Sequence, residues 1–189
     1  NTYDDKSNLE LYNLVKDKYP NLDVHVNNRK RLIRALNKGE EYYNKGYRAI
    51  IFDIDNTLVP HGAPADERAV ALFAHLKELG FACTLLSNNK EPRVKMFNDA
   101  VHVHYIFKAG KPKPANYKKA MEQMNTTSEN TIFVGDQIFT DIIGANLAGI
   151  RSILVAPIDP HEEIQIVLKR LIEKPVIACY KRHLKKVNK

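Results

Sequence analysis

Two aspartates one residue apart, Asp53 and Asp55, directly follow the apolar run Ala49-Ile50-Ile51-Phe52. In an extended chain, residues i and i+2 point to the same side, so the two carboxylates face one space. Carboxylates this close repel each other unless a cation sits between them or one keeps its proton. Asn56 and Thr57 follow, and both types hydrogen-bond their own backbone where a chain turns. Three more polar clusters lie downstream, at Ser87-Asn88, at Lys111, and at Asp136 with Asp141. Together they would equip a site for phosphoryl transfer. Asp53, Asp55 and Asp136 offer hard oxygen ligands in a mostly open site, which suits Mg²⁺ with waters and a substrate phosphate. Ionised Asp53 is a nucleophile towards phosphorus, giving an aspartyl-phosphate. Asp55 is near enough to protonate the leaving oxygen and then to take a proton from the hydrolytic water. Thr57, Ser87 and Asn88, with neighbouring backbone N–H groups, can hold phosphate oxygens. Lys111 supplies positive charge to the transition state and shields the carboxylates from one another. Each cluster alone has a plainer role: Ser87-Asn88 as a helix cap, Lys111-Pro-Lys113-Pro as a stiff loop, Gly135-Asp136 as a turn.

The elements between the clusters give them a common frame. Ala49–Phe52 is mostly β-branched and aromatic, as in a strand buried on both faces of a parallel sheet. Apolar runs predict further strands over 81–86, 103–107, 131–134 and 152–156. Helices are expected over 65–79, about 91–99, 117–124, 140–147 and 162–173. Alternating strands and helices mean βαβ units, right-handed crossovers and a mainly parallel sheet. Such a sheet collects the carboxyl ends of its strands along one edge, where ligands bind. Each cluster follows a strand, so residues almost ninety positions apart converge there.

The 189 residues, 44% hydrophobic, suffice for one well-buried domain with appendages. No stretch reaches the roughly 20 apolar residues of a membrane span, and no signal sequence opens the chain. The first residue is Asn, so upstream residues can be missing. Cys83 and Cys179 are far apart with no Cys-x-x-Cys pair, which favours a cytoplasmic protein with reduced thiols over a zinc site. The net charge of +7 is uneven: residues 1–46 carry 9 Lys/Arg against 7 Asp/Glu, 47–160 carry 12 of each, and 161–189 carry 8 against 3. Three segments follow: a helical N-terminal extension at 1–46, an α/β domain at 47–173, and a basic tail at 174–189. The extension reads as two short helices, one ending at Tyr19-Pro20 and one from about 28 to 38. The tail can touch an anionic membrane surface or nucleic-acid phosphates.

In order and context, the four clusters resemble the signature of the haloacid dehalogenase-like (HAD) phosphatases over roughly residues 46 to 173. Asp53-Ile-Asp55-Asn-Thr57-Leu-Val resembles the first motif and Ser87-Asn88-Asn89 the second. Lys111-Pro resembles the third, and Gly135-Asp136-Gln-Ile-Phe-Thr-Asp141 the fourth. The resemblance implies a three-layer Rossmann-like α/β fold with Asp53 as nucleophile and Mg²⁺ ligand. Asp55 would be general acid/base and bind metal through its backbone carbonyl. Asp136 would bind the metal directly, Asp141 would support its shell, and Ser87 and Lys111 would hold the phosphoryl group. Lys113 competes with Lys111 but fits the motif less well. Asn56 stands where many members have glycine. Neither 58–86 nor 90–107 has room for a cap domain, and the motif details are similar to the capless subfamily IIIA, the YqeG-like group. That group includes proteins resembling phosphatidylglycerophosphate phosphatases, which implies a large, exposed or lipid-like phosphorylated substrate met at a membrane periphery. Two alternatives stay open: a phosphotransferase with an acceptor other than water, and a nucleic-acid- or ribosome-associated binding protein on the same scaffold.

Overall fold

The computed structural model describes residues 41–159. Expectations for the two N-terminal helices, the helix over 162–173 and the basic tail lie outside the described residues. A helical turn at 41–44 leads through Gly46 into β1 (Ala49–Phe52). The chain then alternates: α1 (Glu67–Glu78), β2 (Ala82–Leu86), α2 (Glu91–Val101), β3 (His104–Ile106) and α3 (Ala115–Gln123). It continues with β4 (Thr131–Gly135), a π-helix (Ile138–Ile142), α4 (Ile143–Leu147) and β5 (Arg151–Leu154).

All five strands are parallel, in the order β3-β2-β1-β4-β5. β1 lies at the centre, and its two faces serve different layers. Ile50 and Phe52 pack with Phe73 and Leu76 of α1 and Val94 and Phe97 of α2. Ala49 and Ile51 pack with Tyr117, Ala120 and Met121 of α3 and Ala145 of α4. The result is a three-layer α/β/α sandwich: the parallel sheet follows the strand and helix pattern, and the three layers are those the family resemblance implies. Full burial of each large apolar side chain contributes roughly 1.5–3 kcal/mol. Cys83 lies in the first of these layers, and burial pushes its thiol up to about 12.

The strand order reverses direction at β1: β2 and β3 lie on one side of it, β4 and β5 on the other. A crevice opens at such a point beyond the carboxyl ends of the strands. Phe52 pairs with Leu85 on one side and Val134 on the other. That register puts Asp53, Ser87 and Asp136 on one edge.

Local signals set the helix ends. Asp66 caps α1 by accepting from the Ala69 N–H at 2.8 Å, and Pro92 occupies the first turn of α2. Differences from the expected ranges are small for the strands and for α1 to α3. The segment after β4 differs in kind. The expected helix over 140–147 begins instead with a wide turn from 138, in which the Ile142 N–H reaches back five residues to Gln137 O at 3.2 Å. Such π turns often occur at functional sites.

Candidate active site

The turn after β1 holds both aspartates. Leu58 N–H donates to Ile54 O (2.9 Å) and Asn56 N–H to Val59 O (2.8 Å), closing the chain tightly around residues 54–59. Asn56 sits in the left-handed region at φ 62°, which Asn tolerates better than most side chains and which explains glycine's suitability there. Asn56 also accepts twice from the chain beyond β5: its O from Ile158 N–H (3.1 Å) and its Oδ1 from Asp159 N–H (3.3 Å).

Asp53 points into a buried charge cluster. Lys111 Nζ donates to Asp53 Oδ1 at 2.5 Å and to Asp141 Oδ1 at 2.6 Å, and all three side chains are buried. On the far side, Thr57 Oγ1 lies 3.4 Å from Asp53 Oδ2 and 3.2 Å from Asp136 Oδ1. Burial pushes the Asp53 carboxyl up, and the nearby Asp141 and Asp136 add to this, while Lys111 opposes it. Burial alone would lower the Lys111 pKa, but the Asp141 and Asp53 carboxylates more than offset it, so the ammonium stays charged. Three carboxylates against one ammonium leave an excess of negative charge.

That excess fits a cation. One carboxylate oxygen each from Asp53, Asp136 and Asp141 lie within 4.8 Å of one another. An all-oxygen set of this kind suits a hard divalent ion. The Asp55 carboxylate is outside this group. Its Oδ1 accepts from Gly62 N–H (2.7 Å) and from Arg93 Nη2 (2.8 Å) and Nε (3.2 Å). Its Oδ2 accepts from Asn89 Nδ2 at 2.5 Å.

The other predicted residues reach the same edge by different routes. Ser87 is buried, and its Oγ accepts from Asn89 N–H at 3.2 Å, leaving its own proton to donate. Asn88 turns to the loop after β3: its Oδ1 accepts from Lys111 N–H (2.8 Å) and its Nδ2 donates to Lys111 O (3.3 Å). It therefore holds the Lys111 backbone in place through both of its amide atoms. Lys108 N–H to Asn89 O (2.8 Å) and Ala109 N–H to Ser87 O (2.9 Å) lace the same two loops together. Lys113 is exposed, whereas Lys111 enters the cluster.

Asp141 is fixed by its own turn. Its Oδ2 accepts from Gln137 N–H at 3.0 Å, and Tyr117 Oη donates to Thr140 O (2.9 Å) with Asp141 O 3.3 Å away. Two glycines allow this. A Cβ on Gly135 would lie 2.5 Å from Asp141 Oδ2, and one on Gly144 would collide with the Tyr117 hydroxyl. Gly135 stands out in the sequence because it precedes Asp136. Gly144, Tyr117 and Arg93 do not, because each acts through a contact between distant elements.

Comparison with known proteins agrees with this geometry. The HAD-hydrolase-like family model matches residues 108–157. The probable phosphatase YqeG of Bacillus subtilis is 34% identical over 144 residues, which is 76% of this chain and 84% of that protein. Phosphatidylglycerophosphate phosphatase 1 of Arabidopsis thaliana, chloroplastic/mitochondrial, is 30% identical over 75% of this chain but only 43% of its own length. One solved chain, 16% identical, matches 71% of this chain and 84% of its own at a TM-score of 0.50, a likeness of fold. The parallel sheet, the capless order of elements and the YqeG relationship lead to one conclusion: this chain belongs to the HAD hydrolases, as a YqeG-like phosphatase.

Proposed function

We propose that the protein is a Mg²⁺-dependent phosphomonoester hydrolase that works through an aspartyl-phosphate on Asp53. The observation that carries this reading is the buried Asp53–Lys111–Asp141 cluster beside Asp136 at the switch point of the sheet. Asp53, Asp136 and Asp141 would hold the ion by their carboxylates, and Asp55 by its backbone carbonyl. Bound there, Mg²⁺ supplies charge neutralisation for phosphate oxygens.

The protein's own groups do the rest. An Asp53 carboxylate oxygen attacks phosphorus, the P–O bond to the leaving group breaks, and Asp55 gives that oxygen its proton. Water then attacks the phosphorus of the acyl phosphate and passes a proton to Asp55, which regenerates Asp53 and frees inorganic phosphate. The Ser87 hydroxyl and the Lys111 ammonium hold the phosphoryl oxygens, with Thr57 and Asn88 supporting Asp53 and Lys111.

Only α1 separates β1 from β2, and only α2 separates β2 from β3, so among the described residues no cap domain is inserted over this edge. An uncovered edge favours a large or exposed substrate over a small metabolite that must be sealed from water. The name of the Arabidopsis relative points to a phosphatidylglycerophosphate-like lipid, and the basic balance of residues 161–189 favours an anionic surface. We place the protein in the cytoplasm at the membrane periphery. Among the described residues no helix is long and apolar enough to cross a membrane.

The test is phosphate release from phosphatidylglycerophosphate vesicles, sugar phosphates, nucleotides and p-nitrophenyl phosphate, with Mg²⁺ and with EDTA. Acid-quenched protein is then searched for phosphate on Asp53. Mg²⁺-dependent release strongest on the lipid supports the reading. Release that survives EDTA, or phosphate trapped on another residue, sinks it.

A further inference from the structure

We propose that Arg93 is the positioning residue for Asp55, fixing the plane and direction of its carboxylate at the site. This rests on the reading of Asp55 as the proton donor and acceptor, and it assigns work to a residue outside the four motifs.

Arg93 stands in the first turn of α2, four residues after Asn89, and the two bind opposite oxygens of the same carboxylate. Its guanidinium gives Nη2 and Nε to Asp55 Oδ1, and only 14% of its side chain is exposed. Nη1 is buried and has no partner among the described residues. Two nitrogens are therefore committed to Asp55 and the third is buried. This is the wrong posture for catching a substrate anion, which needs donors aimed at the open edge. An exposed ion pair contributes little and wanders among rotamers. This pair is mostly shielded and held at four points, counting Gly62 N–H and Asn89.

A buried donor left unpaired is costly, so the orientation of the guanidinium is set by Asp55 and not by its own satisfaction. With Gly62 and Arg93 on Oδ1, the carboxylate has no freedom to rotate into the Asp53 cluster. It stays separate from the metal-binding carboxylates, which is what a proton-transferring group two residues from the nucleophile requires.

The experiment compares kcat/KM on two substrates in Mg²⁺. p-Nitrophenyl phosphate has a leaving group that departs as an anion. n-Butyl phosphate has one that must be protonated. Arg93→Met, Arg93→Lys, Asp55→Asn and the Asp55→Asn/Arg93→Met double variant are measured side by side. A general acid contributes about 10²–10⁴-fold. Arg93→Met is expected to lose about 10²-fold or more on n-butyl phosphate but less than about fivefold on p-nitrophenyl phosphate. Arg93→Lys should recover part of the loss, and the double variant should be no worse than Asp55→Asn alone, because the two residues act as a unit.

Equal losses on both substrates, an effect confined to KM, or additivity in the double variant would each overturn the proposal. If Asp55→Asn itself shows no leaving-group dependence, the reading of Asp55 fails and Arg93 falls with it. If Asp55→Asn shows that dependence and Arg93→Met does not, the positioning role alone fails. Should Arg93→Met not fold, Arg93→Lys decides: one ammonium cannot reproduce the fork. A partial loss on n-butyl phosphate supports the role, and unchanged values on both substrates refute it.

Discussion

Asp53 and Asp55 are the same residue type, two positions apart on one turn, yet their surroundings have little in common. Asp53 is sunk among two other carboxylates and answered by one ammonium. Asp55 is outside that group of carboxylates and is met by a guanidinium, an amide and a backbone N–H, with the His61 imidazole 4.0 Å from its Oδ1. The first setting concentrates negative charge and calls for a cation. The second spreads a single charge over several donors and holds it still. The lesson is that alternation in the sequence predicts two like carboxylates, but their partners decide which sits in concentrated negative charge and which is held apart from it. Those partners come from different segments: the loop after β3, the residue just past β4 and the π-helix for Asp53, and the loops at Gly62 and Asn89 with the first turn of α2 for Asp55.

The largest expected effect breaks the Asp53 side of this comparison. Asp53→Asn should reduce kcat by about four orders of magnitude or more while circular dichroism stays unchanged. Retained turnover would remove Asp53 as nucleophile. Gly135→Ala is subtler, since the new methyl must displace the Asp141 carboxylate that touches both Lys111 and the Gln137 N–H. Disturbing such support should raise the Mg²⁺ concentration for half-maximal activity by about 10–100-fold, read by titration at saturating substrate.

The next prediction uses pH. The Asp53 carboxyl lies above its ordinary value of 3.8 in the metal-free fold. A raised pKa means the fold favours the protonated form. That contribution is complete below 3.8 and is lost as pH rises through the folded value. Mg²⁺ needs the ionised form, so proton and ion compete. The stabilisation by Mg²⁺, read as the rise in Tm, should therefore be largest near pH 8 and shrink towards pH 5, the free energy behind it falling by at most about 1.4 kcal/mol per pH unit from this group. A constant rise across that range would show that Asp53 does not bind the ion. The smallest effect falls on the shared turn. Asn56→Ala loses the tolerance for φ 62° and the bond from Asp159 N–H, and should cost about 1–2 kcal/mol by denaturant unfolding. Mg²⁺ affinity should not change, because neither aspartate's own partners are touched.

Much of this arrangement is legible in the sequence because it follows from local rules. Ala49–Phe52 and Thr131–Val134 read as buried strands, and polar residues just beyond them had to meet on one edge. Lys111 is distinguishable from Lys113 only by motif, and the structure supplies the reason in the lacing of its loop to Ser87, Asn88 and Asn89. Arg93 was illegible: on α2 it reads as one more exposed helix arginine, and its partner lies 38 residues away. The wide turn at 138–142 was hidden for another reason. A five-residue reach has no distinct apolar period, so the segment reads as an ordinary helix start. The second acceptance at Asn56 was also invisible, since it ties two turns 103 residues apart.

The Lys111 bridge also sets an order in time. A ribosome releases the chain from its N-terminus at about 5–20 residues per second. Asp53 emerges first, Lys111 follows 58 residues later, and Asp141 comes 30 residues after that. The cation therefore arrives between the anions it must join. β1, β2 and β3 can close with Asp53 already paired before β4 brings Asp136 and Asp141, so Asp53 need not be buried beside bare negative charge while the protein is being made.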